Sequence, residues 1–205
     1  MAGPSFRRVV EPHVALRAPG RGAGRGCATM PGMTDDVDSA EAENPYPDDR
    51  MSVERFIKAE PATIFKVLSE PEGHVTIDAS GMLMSADGDA VTKVGDEFVV
   101  HMDRESLNDY PLGEYEVTVH IETFEQDREI AWSIQGVIKP PIGHVYGYRL
   151  EPADGGTLVT SYYDWSNIND DWRNANVFPI VPESALRATL GVLARTVYRE
   201  GRAGA

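Results

Sequence analysis

The chain has a single cysteine, Cys27, among 205 residues, so an internal disulfide is impossible and a thiolate-rich metal site is excluded by counting. Long apolar runs are also missing. None approaches the ~20 residues that a bilayer-crossing helix needs, so membrane insertion is not expected. Positive charge is scarce: 19 Lys and Arg stand against 33 Asp and Glu, for a formal net charge of -14 and a pI near 4.7. Such a surface opposes phosphate neutralisation, so no nucleic-acid partner is expected, nor electrostatic docking onto anionic lipid. Histidines are few and scattered (His13, His74, His101, His120, His144), with no pair at helical i, i+4 spacing; no metal is expected. The one glycine-rich run, Gly20 to Gly26, alternates with arginine and lacks the strand-before, helix-after setting of a phosphate loop, so no nucleotide or other cofactor is expected. The N-terminus has no apolar segment leading into a small-residue cleavage site, and one cysteine fits a reducing cytoplasm, the expected compartment.

What is present divides at residue 51. Residues 1–30 are rich in Gly, Ala, Pro and Arg and carry a net +4, whereas residues 31–50 carry -6, which leaves -12 on residues 51–205. A leader so poor in aromatic residues cannot bury enough apolar surface to offset its ordering entropy, so residues 1–50 are expected to be disordered. Met30, Met33 and Met51 each offer an alternative start, and a basic arm for a partner is the functional alternative. Residues 51–205, with an ordinary hydrophobic content, are expected to form one domain.

Within that domain the hydrophobic period changes several times. Ser52 to Ala59 alternates loosely, with Val53 and Ile57 apolar, as a half-buried strand does. Pro61 opens a helix carrying Ile64, Phe65 and Leu68, which Pro71 stops, and a second short helix is expected over His74 to Ala79. Gly81 and Asp87-Gly88-Asp89 are breaks. Strands follow at 97–103, 114–124, 130–134, 144–150 and 157–165, joined by turns such as Asp154-Gly155-Gly156, which makes the sheet antiparallel. In the clearest of them, Tyr115, Val117, Val119 and Ile121 share one face while Glu114, Glu116, Thr118, His120 and Glu122 share the wet one. From about Pro182 to Gly201 the residues Leu186, Leu190, Leu193 and Val197 recur at helical spacing, and this stripe needs an apolar face to cover it.

Several short motifs carry a resemblance. Val53-Glu-Arg-Phe-Ile-Lys-Ala-Glu-Pro-Ala-Thr-Ile-Phe-Lys-Val-Leu68, Val94-Gly-Asp-Glu-Phe98, Tyr148-Arg-Leu-Glu-Pro152 with Gly155-Gly-Thr-Leu-Val-Thr160, and Tyr163-Asp-Trp165 stand in that order. Over residues 52 to about 200 the chain resembles the SRPBCC superfamily, which includes the START and birch-pollen-allergen proteins, and in particular its bacterial polyketide cyclase/dehydrase-like members. The resemblance implies an α+β helix-grip fold: a curved antiparallel sheet of about seven strands around a long C-terminal helix, with two short helices after the first strand. It also implies an internal apolar cavity. Where such proteins often have a proline-tryptophan pair at the cavity mouth, this chain has Glu72-Gly-His-Val-Thr-Ile-Asp78. No single catalytic set is shared across the superfamily, so fold alone names no reaction.

The residues expected to line the cavity are Phe98, Val100, Trp132, Tyr146, Tyr148, Ser161, Tyr163 and Trp165 on the sheet, His74 at the mouth, and Leu186 and Leu190 on the last helix. Rings with polar handles at alternating positions suit a flat apolar ligand, and they also suit an ordinary core. The function read from this is binding or carriage of a small apolar molecule such as a lipid, sterol or polyketide. The alternatives are a polyketide cyclase or dehydratase, with acid/base candidates among His74, His101, His144, Tyr163 and Asp164, and a protein-interaction scaffold with a filled core. His101 and His120 are expected outside, and Asp164 points away from Tyr163 and Trp165 by register. The segment from Asn167 to Pro182 reads either as a loop tucked over the last helix or as a lid.

Overall fold

A proline placed just after the first strand sets the early architecture, because its fixed φ and missing N–H suit the first position of a helix. In the computed structural model, which describes residues 46–107, 112–175 and 177–203, β1 (Arg50–Ile57) is followed by α1 (Pro61–Ser69) and α2 (Pro71–Ile77), each with proline in its first turn. The second helix therefore starts at Pro71, three residues earlier than the sequence pattern predicts, since Pro71 opens one helix as it ends the other. Gly73 makes this corner possible: a Cβ there would lie 1.8 Å from the Val67 carbonyl oxygen. The expected leader, with Cys27, lies outside the described residues except for its last five positions.

The remaining strands are β2 (Leu83–Asp87), β3 (Glu97–Asp103), β4 (Glu114–Glu125), β5 (Glu129–Gln135), β6 (Val145–Ala153) and β7 (Gly156–Asp164). They pair antiparallel throughout in the order β1-β7-β6-β5-β4-β3-β2, so β1 and β2 are the two edges. β2 lies between the two breaks at Gly81 and Asp87, where its mostly exposed residues give no alternation to read. In β4 the register slips between Ile121 and Thr123. Beyond that bulge the parity changes, and Phe124 reaches the helix side, its ring 5.3 Å from that of Phe65.

Two helices complete the chain, α3 (Asp170–Asn174) and α4 (Glu183–Ala203). α4 packs against β1, α1, α2 and β7. Its stripe of Leu186, Leu190, Leu193 and Val197 is buried together with the inward residues Val53, Val100, Ile121, Leu150 and Val159. The curved sheet thus grips its terminal helix. On the outer face Tyr162 is also buried: it lies over Gly147, where a Cβ would sit 2.3 Å from its ring, and its hydroxyl donates to Glu129 at 2.9 Å. Arg149 pairs with the same carboxylate, and Arg50 stacks 4.3 Å above the Tyr162 ring, so one cluster ties β1, β7, β6 and β5 together.

The corner between α1 and α2 gives a stability test. Gly73→Ala should cost roughly 2–4 kcal/mol, because the added methyl meets fixed backbone rather than a movable side chain. Gly201→Ala, a helical position with nothing nearby, should instead be neutral or gain up to about 1 kcal/mol. Urea midpoints of the two variants check the contrast.

Candidate functional site

Alternation along β6 and β7 places His144, Tyr146 and Tyr148 in line with Ser161, Tyr163 and Trp165 on the inner face. The rings form a continuous run. Trp132 stacks on Tyr146 at 6.5 Å and on Tyr148 at 5.9 Å, Tyr146 on Tyr163 at 4.8 Å, and Tyr163 lies 5.1 Å from Trp165. The polar handles are joined as well. His144 Nδ1 is 2.9 Å from the Tyr163 hydroxyl, which in turn is hydrogen-bonded to that of Tyr146, while Ser161 is hydrogen-bonded to Tyr148.

Burial divides this face into two zones. Phe98, Val100, Tyr148, Ser161, Tyr163, Trp165, Leu186 and Leu190 are all buried as core between the sheet and the helices, Phe98 against His74 of α2. Toward the other end, Met102 and its register partner Tyr115 are only half-buried, as is Tyr146, whose ionisation is influenced by Tyr115. Phe178, also half-buried, closes the line with its ring 6.3 Å from His144. The residues expected to line a cavity are therefore brought together on one face. Its half-buried members are Met102, Tyr115 and Tyr146, with Phe178 beside His144.

His74 is not at the rim. Because α2 begins at Pro71, His74 falls on the face turned toward the sheet; it is 6% exposed, with its ring 4.9 Å from Phe98 and 4.6 Å from Trp132. Its Nε2–H donates to the Leu68 carbonyl at 2.9 Å, joining α2 to α1. His101 lies outside between Asp87 and Glu116, and His120 pairs with Glu97. Asp164 accepts from Ser166 and faces Arg50. Of the acid/base candidates only His144 and Tyr163 meet, with Tyr146 as a third partner. Alternation places Tyr115 on the apolar face, but neither it nor Phe178 is among the cavity residues expected from sequence; pairing Met102 with Tyr115 needs the register of β3 against β4, and Phe178 lies in a segment without periodicity.

That segment is anchored at its first half. Asn169 caps α3, Trp172 Nε1 donates to the Pro140 carbonyl at 3.0 Å, the Asn169 amide donates to the Ile142 carbonyl, and Arg173 pairs with Asp49. Residues 177–179 are half-buried, with the Phe178 ring beside His144.

Burial keeps the network uncharged. Desolvation lowers His144 to about 4, and lowers His74 to about 4 against the opposing hydrogen bond to Leu68. Burial likewise raises Tyr146 and Tyr163 and pushes Tyr148 up to about 12. Among the described residues, no three His, Cys, Asp or Glu side chains converge as a metal would require, and no helix is long and apolar enough to cross a membrane.

The two buried imidazoles make stability depend on pH. Above 6.5 neither the folded nor the unfolded state protonates them; between 6.5 and about 4 only the unfolded chain takes up the protons, so stability falls as the pH is lowered through that window. The loss is on the order of 3 kcal/mol per histidine once pH reaches about 4. His101, raised by its hydrogen bond to Asp87, contributes in the opposite sense. Urea unfolding at pH 7.5 and 5.0 should show the loss, and the His101→Gln background should enlarge it. His144→Phe should reduce it; a slope unchanged by His144→Phe would contradict an uncharged buried His144.

No family model matches the chain, and no curated protein matches it. Solved structures do. Protein NE0264 from Nitrosomonas europaea superposes with a TM-score of 0.58 at 14% identity, covering 76% of this chain and 98% of its own. Protein Ms6760 from Mycobacterium smegmatis gives 0.54 at 12%, covering 75% and 93%. The AHSA1-like protein from Aeromonas hydrophila gives 0.51 at 17%, covering 74% and 94%. At these identities the likeness is one of fold. Strand order, the two short helices after β1 and the gripped terminal helix agree with it: the domain has a helix-grip fold, similar to that of the AHSA1-like protein.

Proposed function

We propose that the domain binds a small, largely apolar molecule carrying an uncharged hydroxyl or carbonyl, at the half-open end of the concave face. The observation that carries this reading is the His144–Tyr163–Tyr146 network, three linked polar groups in an apolar row where Met102, Tyr115 and Phe178 are only half-buried. A closed core has little use for such a row, since each buried polar group must find a partner merely to break even. A ligand oxygen would be a further partner for the Tyr146 end of the chain. Neutral groups favour an uncharged oxygen over a carboxylate, because a buried charge without a counter-charge costs several kcal/mol. Residues 177–182 would act as the lid, hinged on the segment that Trp172 anchors.

The same observations favour binding over cyclase or dehydratase chemistry. Acid/base catalysis needs a group titrating near neutrality. Burial holds His74 and His144 at about 4 and raises the tyrosines, so none of them exchanges a proton readily at pH 7.

Displacement of the neutral fluorophore N-phenyl-1-naphthylamine tests the reading. The probe should bind saturably, and 1-naphthol should displace it about tenfold better than naphthalene, the worth of roughly one hydrogen bond. Tyr146→Phe and His144→Phe should each erase most of that difference while leaving naphthalene in place. Absence of saturable probe binding would overturn the proposal. For the lid, proteolytic cleavage within 177–182 should slow in saturating 1-naphthol, and an unchanged rate would remove that part alone. Native mass spectrometry of protein purified from its own source would name the occupant.

A further inference from the structure

The inner row of β1 reads Met51, Val53, Arg55, Ile57, and three of the four are buried. Arg55 is the exception: it is exposed, and its guanidinium passes over α4 at Gly191, where a Cβ would lie 3.9 Å from Nη2. Between the end of β1 and α4 runs an open groove of about 450 Å³, lined by Arg55, Phe56, Ile57 and Lys58 on one side and by Gly191, Ala194, Arg195 and Tyr198 on the other. The last three residues of β1 and Lys58 just after it line the groove, from both faces of the strand, so the groove follows the free edge at the end of β1. That edge is terminal in the sheet and faces no other strand among the described residues.

Two properties mark the groove out. In a domain of net charge -12, Arg55, Lys58, Arg195 and the neighbouring Arg199 gather at one place and make neither an ion pair nor a side-chain hydrogen bond among the described residues; Arg50, Lys66, Arg149, Arg173 and Arg187 are ion-paired, and the other cations without an ion pair, Lys93, Arg128 and Lys139, stand in three separate connections. In addition, Phe56 and Tyr198, 49% and 62% exposed, flank a floor of small residues. Phe56 rests against Gly156, and Tyr198 is partly covered by Arg202.

We propose that this groove docks an extended acidic peptide segment of a partner protein. The segment would lie along the edge of β1, its carboxylates meeting Arg55, Lys58 and Arg195 and one apolar side chain seated over Gly191 and Ala194 between the two rings. Unpaired cations give the charge complementarity, and the free strand edge suits an extended chain. The groove shares no residue with the proposed ligand site around Tyr146, and its use does not depend on a ligand there.

The test uses the full chain and a fluorescein-labelled peptide of alternating glutamate with leucine and phenylalanine, followed by anisotropy. Binding should saturate, and should weaken between roughly 50 and 300 mM salt. The triple variant Arg55→Glu/Lys58→Glu/Arg195→Glu should lose affinity by at least about tenfold. Gly191→Leu, which fills the floor without touching charge and favours helix, should lose about as much. Both variants should keep wild-type circular dichroism and wild-type 1-naphthol displacement, which separates this site from the interior one. Amide resonances of residues 55–58 should shift on titration. The proposal is overturned by an absence of saturable binding, by equal binding of the lysine-for-glutamate peptide, by indifference to Gly191→Leu, or by preferential binding to phosphatidylserine vesicles, which would make the patch a membrane contact.

Discussion

Burial of one apolar stripe, Leu186-Leu190-Leu193-Val197, against the inner face of a seven-stranded sheet is the constraint from which the rest of the molecule follows. A helix of 21 residues is about 30 Å long. To cover it from several sides at once the sheet must curve, and the bulge at Ile121/Thr123 in β4 supplies local bending while returning Phe124 to the helix side. α1 and α2 then fill the remaining space over β3 and β5, with Phe65 and His74 as their deepest rings. Where these three helices lie, the face is dry and close-packed. Beyond them the inner row goes on into the half-buried Met102, Tyr115 and Tyr146, and Phe178 from the connection before α4 lies beside His144.

Strand parity sorts the chemistry across this sheet. The outer face holds the charges: Asp87, Glu116 and His101 together, Glu97 with His120, and Glu129 with Arg149. The inner face holds imidazole and phenol groups that burial keeps neutral. The separation has a thermodynamic cause. A carboxylate on the inner rows would cost several kcal/mol to desolvate unless paired, while a hydrogen-bonded phenol is tolerated there. The polar groups of the inner rows are thus uncharged donors and acceptors held by partners within the fold.

Much of the architecture was legible in the sequence because it rests on period. The alternation in β4 and the helical spacing of α4 each state which side is buried, and the turn at Asp154-Gly155 sets β6 against β7. The inner rings Trp132, Tyr146, Tyr148, Tyr163 and Trp165 follow from the same counting. What was not legible depends on relations that period does not carry. The start of α2 turned on whether Pro71 ends a helix or opens one, and that single choice moved His74 from the rim to the core. β2, short and largely exposed, has no buried face to announce it. The pairing of Met102 with Tyr115 and the position of Phe178 need register and tertiary contact, so the open end of the face could not be located from sequence.

One local conflict remains in β1, and it is informative. Arg55 occupies a position where its neighbours on the row are Val53 and Ile57, and α4 meets it with Gly191 in mid-helix, a residue that costs about 1 kcal/mol relative to alanine there. An aliphatic residue opposite an alanine would have extended the core by another layer at this edge. The chain instead keeps a cation without a partner over a small-residue floor, beside two exposed rings. Local choices that oppose stability, with no compensating contact inside the fold, concentrate at sites used for something else. For Arg55 and Gly191 no such compensating contact exists among the described residues, and the cations gathered along the groove make an acidic segment its complementary occupant.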